Sequence, residues 1–349
     1  MTTTTQSRAD AKANATGTAY QPVDGRLLDV ENLHVHFHTS DGVAKAINGV
    51  SFHLDQGESL AILGESGSGK SVTAQAIMGI LDVPPAKIPE GHIRYCGQDL
   101  LAMPEEQRRK TRGPEISMIF QDALSSLNPV FPVGWQIAEM FREHRGLNKS
   151  DALAQAVRLM ERVSIPGAKA RVKAYPHQFS GGMRQRIMIA MAIALDPAIL
   201  IADEPTTALD VTVQAQIMSL LQELQQERKM GLILITHDLG VVADVADRIA
   251  VMYAGRLIET ADVYTGYANP AHPYTKGLLD SLPRLDQKGQ TLAAIPGLPP
   301  NLLKMPPGCA FHPRCPLARE RCREERPELV EVRPGRFAAC HYTEEVLHA

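Results

Sequence analysis

Two groups of residues in this 349-residue chain have the types and spacing for chemistry. The first is the stretch GESGSGKSV. Its residues Gly64, Gly69, Lys70 and Ser71 fill the pattern G-x-x-x-x-G-K-[ST], directly after the apolar run LAIL and before SVTAQAIMGIL, which reads as a helix. Glycines let the backbone wrap a phosphate, while amides and the helix N-terminus supply positive potential. Lys70 is then expected to reach the terminal phosphates and Ser71 to ligate Mg²⁺. The expected phosphate-binding residues are Gly64, Glu65, Ser66, Gly67, Ser68, Gly69, Lys70, Ser71 and Val72. A second apolar run, AILIADE, ends in Asp203 and Glu204. Asp203 can hold Mg²⁺ through water, and Glu204 is placed to polarise an attacking water. Together these residues imply a nucleoside triphosphatase.

The second group is four of the five cysteines, spaced Cys309-x₅-Cys315-x₆-Cys322-x₁₇-Cys340. Prolines at 306, 307, 313 and 316 and little periodicity mark a segment that cannot bury much apolar surface, so a metal centre is a plausible organiser. Four thiolates suit a tetrahedral Zn²⁺ or an iron–sulfur cluster. Structural zinc sites use tight C-x₂₋₄-C pairs, which the spacing lacks, and wider loops suit a larger cubane. Zinc, cluster and metal-free thiols all remain open on spacing alone.

The elements that must position these groups are α/β in pattern. LLDVENLHVHFHT and AKAINGVSFHLDQGESLAIL read as strands, and AILIAD and GLILITH as buried strands separated by a helix. Apolar strands alternating with helices imply a parallel sheet covered on both faces. RIAVMYAGRLIET reads as a hairpin turning at Ala254-Gly255, and residues 122–180 as a helical insertion. The expected units are a disordered tail over 1–25, an ATPase over 26–262 and a small irregular Cys-rich domain over 263–349.

Composition excludes several classes. Lys plus Arg (36) nearly balance Asp plus Glu (39), leaving a net charge of −3 and no electrostatic footprint for nucleic acid. No apolar run approaches the roughly 20 residues needed to cross a bilayer, and the polar N-terminus lacks the apolar core of a signal peptide. A cytoplasmic protein is expected, with clustered thiols kept reduced. His34, His36 and His38 alternate like a comb of metal donors, but read first as a solvated strand face. Glu58 and Glu65 read as surface or loop-stabilising groups, Cys96 as a half-buried strand cysteine and Trp135 as a packing residue. The charged run over 105–113 reads as an exposed helix end.

The stretch FSGGMRQR, Phe179 to Arg186, narrows the class. With GESGSGKS, MIFQD around Gln121, DEPTTALD at 203–210 and LITHD around His237, it resembles the ordered motif set of ATP-binding cassette (ABC) subunits. The resemblance covers about residues 27–260. It implies an ABC-type P-loop ATPase: a parallel sheet core, an antiparallel β subdomain and a helical insertion. By that resemblance Phe37 stacks on adenine, and Gln121 senses Mg²⁺ and the attacking water. Glu204 is the general base, and His237 is a switch that touches the γ-phosphate. Ser180, Gly181 and Gly182 act on ATP held by a partner subunit, and Asp210 joins the two sites. Met183 stands where the family most often has glutamine.

SSLNPVFPVGWQIAE after Gln121, and ANPAHPYTKGLLDSLPRLD with IPGLPPNLLKMPPGCAFHPRC near the end, resemble ATPase subunits of oligopeptide/dipeptide importers, a group that includes nickel importers. That resemblance implies a heterodimer with a second, homologous ATPase subunit. It also implies two membrane permease subunits, an extracytoplasmic substrate-binding protein and a peripheral place on the cytoplasmic face of the membrane. The C-terminal region is associated in some members with a [4Fe–4S] cluster, here expected at Cys309, Cys315, Cys322 and Cys340. A soluble, non-transport ABC protein of DNA repair or translation is the rival. Such proteins carry a coiled-coil insertion or two cassettes, and neither appears in this sequence.

Overall fold

The computed structural model describes residues 20–122, 126–207, 209–281 and 294–348. The cysteine-free stretch 282–293 and most of the expected N-terminal tail lie outside them. Tyr20, inside the expected tail, is placed: its ring meets Tyr95 edge-on with centroids 5.4 Å apart. Residues 20–25 of that expected tail are described: Tyr20 meets Tyr95 of the strand His92–Tyr95, and Val23 bridges to Arg26 at the start of the first strand.

The central strands are short apolar runs: β3 (Ser59–Leu63), β7 (Ile116–Ile119), β8 (Ile199–Asp203), β9 (Gly231–Thr236) and β10 (Arg248–Tyr253). They pair in parallel in the order β10-β3-β9-β8-β7. Alternate residues of each strand serve different cores, as the two-residue period of a strand requires. Leu60, Ile62, Ile199, Ile201, Ile233 and Ile235 face a core shared with helix α1 (Lys70–Met78) and the antiparallel sheet. Ala61, Leu63, Leu200, Ala202, Leu232 and Leu234 face the opposite core, built from the helices Val133–Arg145, Lys149–Arg162, Gly181–Ala192 and Val211–Arg228. A sheet buried on both faces needs apolar residues at every position, and each residue of β3, β8 and β9 is buried.

The antiparallel sheet is formed by β2 (Gly42–Asp55), β1 (Arg26–Thr39), β5 (His92–Tyr95) and β6 (Gln98–Asp99), with β4 (Ala86–Lys87) on β1. The hairpin expected at Ala254-Gly255 joins β10 to β11 (Arg256–Asp262), with φ of 48° and 78° at its two turn residues. Both angles are positive, as a two-residue turn matching the strand twist requires.

The C-terminal segment departs from an irregular appendage. Strands β12 (Val330–Arg333) and β13 (Arg336–Ala338) extend the main sheet through β11, in the order β12-β13-β11-β10. Tyr274, Leu279, Phe311 and Ala339 join the same core as the ATPase helices. Arg336 donates to the carboxylate of the fully buried Glu259 at 3.0 Å and also to the carbonyl of Asn269. The amides of Ala271 and His272 donate to Glu259 at 2.7 and 2.9 Å. Burial pushes the Glu259 carboxyl up, while the Ala271 amide, Thr275 and Arg336 pull it back. Such pairs cost desolvation but are severe to break, because one partner stays buried and charged. Arg336→Met should lower the stability of the full chain by about 3–5 kcal/mol. Adding Glu259→Gln should recover part of that loss in the same denaturant titration. An unmoved unfolding midpoint in Arg336→Met would show that this pair does not anchor β13.

Candidate functional site: a phosphate loop at the ends of the parallel strands

The stretch Gly64–Gly69 connects β3 to α1 at the C-terminal edge of the parallel sheet, where doubly covered sheets open a crevice. Gly64 has φ 146°, and a Cβ there would lie 2.3 Å from the carbonyl of Met252. No side chain fits, so the loop passes directly against β10. Lys70 is buried and its ammonium folds back to donate to the carbonyls of Gly64 and Glu65 at 2.7 and 2.9 Å. Burial lowers its pKa, while Glu204, Asp203 and Glu65 pull it back up. Ser71 donates to Asp203 Oδ1 at 3.0 Å, and burial raises the Asp203 carboxyl. The Ser68 hydroxyl is buried with no hydrogen-bond partner, a donor available to a ligand oxygen. Amides, an ammonium and a hydroxyl beside a carboxylate form a donor set for a phosphate chain and its Mg²⁺.

Glu204 follows β8 with a positive φ of 46°, which turns it out of the strand line. Gln121 Nε2 donates to its Oε2 at 2.8 Å, and the Thr207 hydroxyl to the same oxygen at 2.9 Å. His237 Nδ1 lies 3.3 Å from the other oxygen. Both oxygens are thus oriented by side chains from three connections of the sheet. Gln121, Asp203, Glu204 and His237 come together with Lys70 and Ser71. Thr207 was legible in DEPTTALD but unassigned in the sequence.

Other expected residues stand apart from this cluster. Ser180 and Gly181 are exposed at the start of the helix Gly181–Ala192, where Ser180 accepts the Met183 amide at 3.4 Å. Asp210 caps the helix Val211–Arg228 by accepting the Val213 amide at 3.0 Å. Phe37 is half-buried on β1 against the α1-side core. Among the other readings, Glu58 stabilises its loop through the Asp55 amide at 2.8 Å and Arg248 at 3.0 Å. Trp135 stacks on Phe131 at 4.3 Å on the surface and not in the core. Cys96 is buried in the turn after β5, with φ 46°. His38 is exposed, whereas His34 and His36 are half-buried with their rings edge-on, and His36 Nε2 is buried without a hydrogen-bond partner.

The four C-terminal cysteines line one pocket with Phe311, Leu317 and Pro327. The Cys309 amide donates to the Cys322 carbonyl at 2.8 Å, tying the first and third cysteine together. Burial pushes the Cys315 and Cys340 thiols up to about 11 and raises Cys309 as well. Among the described residues, no three His, Cys, Asp or Glu side chains are grouped so as to hold a metal ion. Neither the cluster nor the zinc expectation has such a donor set here, and what the structure shows of the four thiols is their shared pocket.

The nucleotide-loop geometry on a doubly covered parallel sheet defines a P-loop nucleoside triphosphatase. A family profile described as "ABC transporter" matches residues 47–207, and one described as "Oligopeptide/dipeptide transporter, C-terminal region" matches 258–322. The chain is 53% identical over 314 residues to the dipeptide transport ATP-binding protein DppD of Lactococcus lactis subsp. cremoris, covering 90% of each chain. It is 51% identical over 322 residues to the oligopeptide transport ATP-binding protein OppD of Escherichia coli, covering 92% of this chain and 94% of the other. The dimeric ATP-binding cassette MJ0796 bound to ADP and Pi superposes with TM-score 0.61 at 25% identity, over 68% of this chain and 98% of that one. CbiO1 from Clostridium perfringens gives 0.59 at 28%, over 70% and 91%. The chain belongs to the ATP-binding subunits of the oligopeptide/dipeptide ABC transporter family.

The site geometry also explains Gly182. A Cβ there would lie 2.7 Å from Val213 Cγ1, on a stiff β-branched side chain. Gly182→Ala should cost about 1–3 kcal/mol by overpacking. Combining it with Val213→Ala should restore most of the loss, as read by thermal unfolding. Equal stability of Gly182→Ala and the parent would show that the two helices separate freely.

Proposed function

We propose that this chain hydrolyses ATP to power import of peptides through a membrane ABC transporter. The observation that carries the reading is the convergence of Lys70, Ser71, Asp203 and Glu204 at the edge of β3 and β8. It occurs in a chain half identical, over nine-tenths of its length, to dipeptide and oligopeptide transport ATP-binding proteins. Those names favour peptide over nickel as cargo.

In this reading Gly64 through Val72 cradle the triphosphate, Lys70 leaves its own loop carbonyls to reach the phosphates, and Phe37 stacks on adenine. Mg²⁺, when bound at Ser71, Asp203 and Gln121, neutralises phosphate charge. Glu204 accepts a proton from the attacking water, with Gln121, Thr207 and His237 orienting its carboxylate. Ser180, Gly181 and Gly182 close over ATP on a second, homologous ATPase subunit, and Asp210 links the sites. Closure would exclude water and add donors, which converts ATP binding into dimer closure and hydrolysis into reopening. The heterodimer would sit beneath two permease subunits at the cytoplasmic face of the membrane, fed by a substrate-binding protein and with no nucleic-acid partner. Among the described residues no helix is long and apolar enough to cross a membrane, consistent with a peripheral subunit. The organisation proposed is an ATPase over 26–262, with the insertion at about 122–180 reaching the permeases, and a C-terminal domain over 263–349. Cys309, Cys315, Cys322 and Cys340 would hold a [4Fe–4S] cluster with a structural role, which the four thiols around one pocket favour.

In the assembled transporter, Glu204→Gln should cut ATP turnover roughly 10²- to 10⁴-fold while ATP stays bound. Lys70→Ala should instead weaken ATP binding itself. Peptide uptake in cells lacking the gene should return with the parent chain and with neither variant. Uptake restored by Glu204→Gln would end the proposed catalytic role. A separate test concerns the thiols: anaerobically purified chain should be brown with about four irons. Colourless protein with four titratable thiols in this segment would remove the cluster.

A further inference from the structure

The residue after Gly64 has four hydrogen-bond partners, and two of them come from the C-terminal segment. The Glu65 amide donates to the Tyr274 hydroxyl at 2.8 Å. Its carboxylate takes both arms of Arg314, at 2.6 Å from Nη1 and 2.9 Å from Nη2. Its carbonyl accepts from the Ser68 amide of the loop itself at 3.2 Å and from Lys70 at 2.9 Å. Lys70 must give up that last bond to reach a bound phosphate. The Tyr274 and Arg314 contacts do not involve Lys70, so they can tie this end of the loop to the C-terminal segment when a nucleotide enters.

The clamp is itself rigid. The Arg314 side chain is 4% exposed, against 28% for Glu65, so the guanidinium is fixed and the carboxylate docks onto it. Arg314 Nε donates to the Pro296 carbonyl at 2.9 Å, and its Nη1 lies 3.4 Å from the Tyr253 hydroxyl. Tyr253, Tyr274 and Phe311 pack with ring centroids 4.6–5.3 Å apart beneath it. A two-armed arginine–carboxylate pair is strong and directional. It also removes a charge problem, since a bare carboxylate in a phosphate loop would repel the triphosphate. Arg314 directly precedes Cys315, and Phe311 lies between Cys309 and Cys315.

We propose that Arg314 and Tyr274 are positioning residues for the phosphate loop, and that through Glu65 they couple nucleotide binding to the fold of the cysteine-bearing segment. This rests on the ATP-site reading above. Coupling of this kind is reciprocal: if the folded segment favours ATP, bound ATP must stabilise the segment by the same factor.

The test uses the full chain with a fluorescent ATP analogue and Mg²⁺. Arg314→Gln and Glu65→Gln should each weaken binding roughly three- to thirtyfold, the range for residues that act through a network. The double variant should be no weaker than Arg314→Gln alone, because both lose one interaction and the bare carboxylate is gone. Arg314→Lys, which keeps charge but not the fork, should recover only part of the affinity. In parallel, hydrogen exchange read by mass spectrometry should show nucleotide slowing exchange across 309–316 in the parent and not in Glu65→Gln. Glu65→Gln leaves Arg314 and its packing in place, so it remains informative if Arg314→Gln folds poorly. Parent-like affinity in both single variants, even with a lowered melting temperature, would reduce Arg314 to a structural pin and overturn the inference. Additive losses, or no nucleotide effect on 309–316, would also overturn it. Lys70→Ala in the same titration separates the two levels. Binding lost there but intact in Arg314→Gln sinks only the coupling, whereas a parent chain that binds no nucleotide sinks the ATP site as well.

Discussion

An ammonium group buried at the edge of a parallel sheet is the constraint around which this molecule is arranged. Lys70 is 5% exposed, and burial works against its charge. An unpaired buried cation would lose its proton rather than persist. The fold answers with two backbone carbonyls at hydrogen-bond distance and three carboxylates, Glu204, Asp203 and Glu65, close enough to favour the charged form. Asp203 carries the mirror problem, a buried carboxyl raised by desolvation and steadied by Ser71 and Lys70. Each charge is thus provisional, held by partners that a triphosphate and a cation could replace. Binding then exchanges partners and does not create a charge in an apolar site.

Such an exchange needs a frame that does not move when Lys70 does. The frame is the doubly buried sheet, whose alternate residues lock into two separate cores. A strand with both faces packed cannot slip by one residue without driving every side chain into the wrong core. The C-terminal segment adds to this frame by hydrogen-bonding its own strands onto β11 and by burying Tyr274 and Phe311 against Tyr253. It is therefore part of the scaffold behind the loop.

What the sequence disclosed follows from how local each feature is. The loop GESGSGKS is bounded by its own strand and helix, so motif, element and role could be read within some twenty residues. β3, β8 and β9 were legible because complete burial leaves an uninterrupted apolar run. The C-terminal strands were not, being four and three residues long, mostly exposed on β12, and set among prolines. Long-range pairs left no trace either. Glu65 and Arg314 are separated by 249 positions, and nothing in either neighbourhood signals the other. Glu65 read alone was a phosphate-loop residue and a surface or loop-stabilising group, whereas its amide meets Tyr274, its carbonyl Lys70 and Ser68, and its carboxylate Arg314. The cysteine spacing signalled convergence, since four thiols do line one pocket, but spacing cannot report side-chain geometry.

The same locality bears on why half of the motif set stands apart from the other half. Gln121, Asp203, Glu204 and His237 are loop or strand-end residues of one sheet edge, and the sheet brings them together. Ser180 and Gly181 begin a helix that packs its far side into the core, leaving its N-terminal turn in solvent. The first amides of a helix are unsatisfied within it and carry partial positive charge. Here the Ser180 hydroxyl takes the Met183 amide, and Ser180 and Gly181 are exposed. Donors of that kind suit an anion supplied from outside the chain. In the assembly proposed above, that anion is the nucleotide on the second ATPase subunit, so each subunit would offer a cradle for one nucleotide and a lid for another. Gly182 sharpens the geometry: its missing side chain lets the lid helix lie against Val213, three residues past the Asp210 cap.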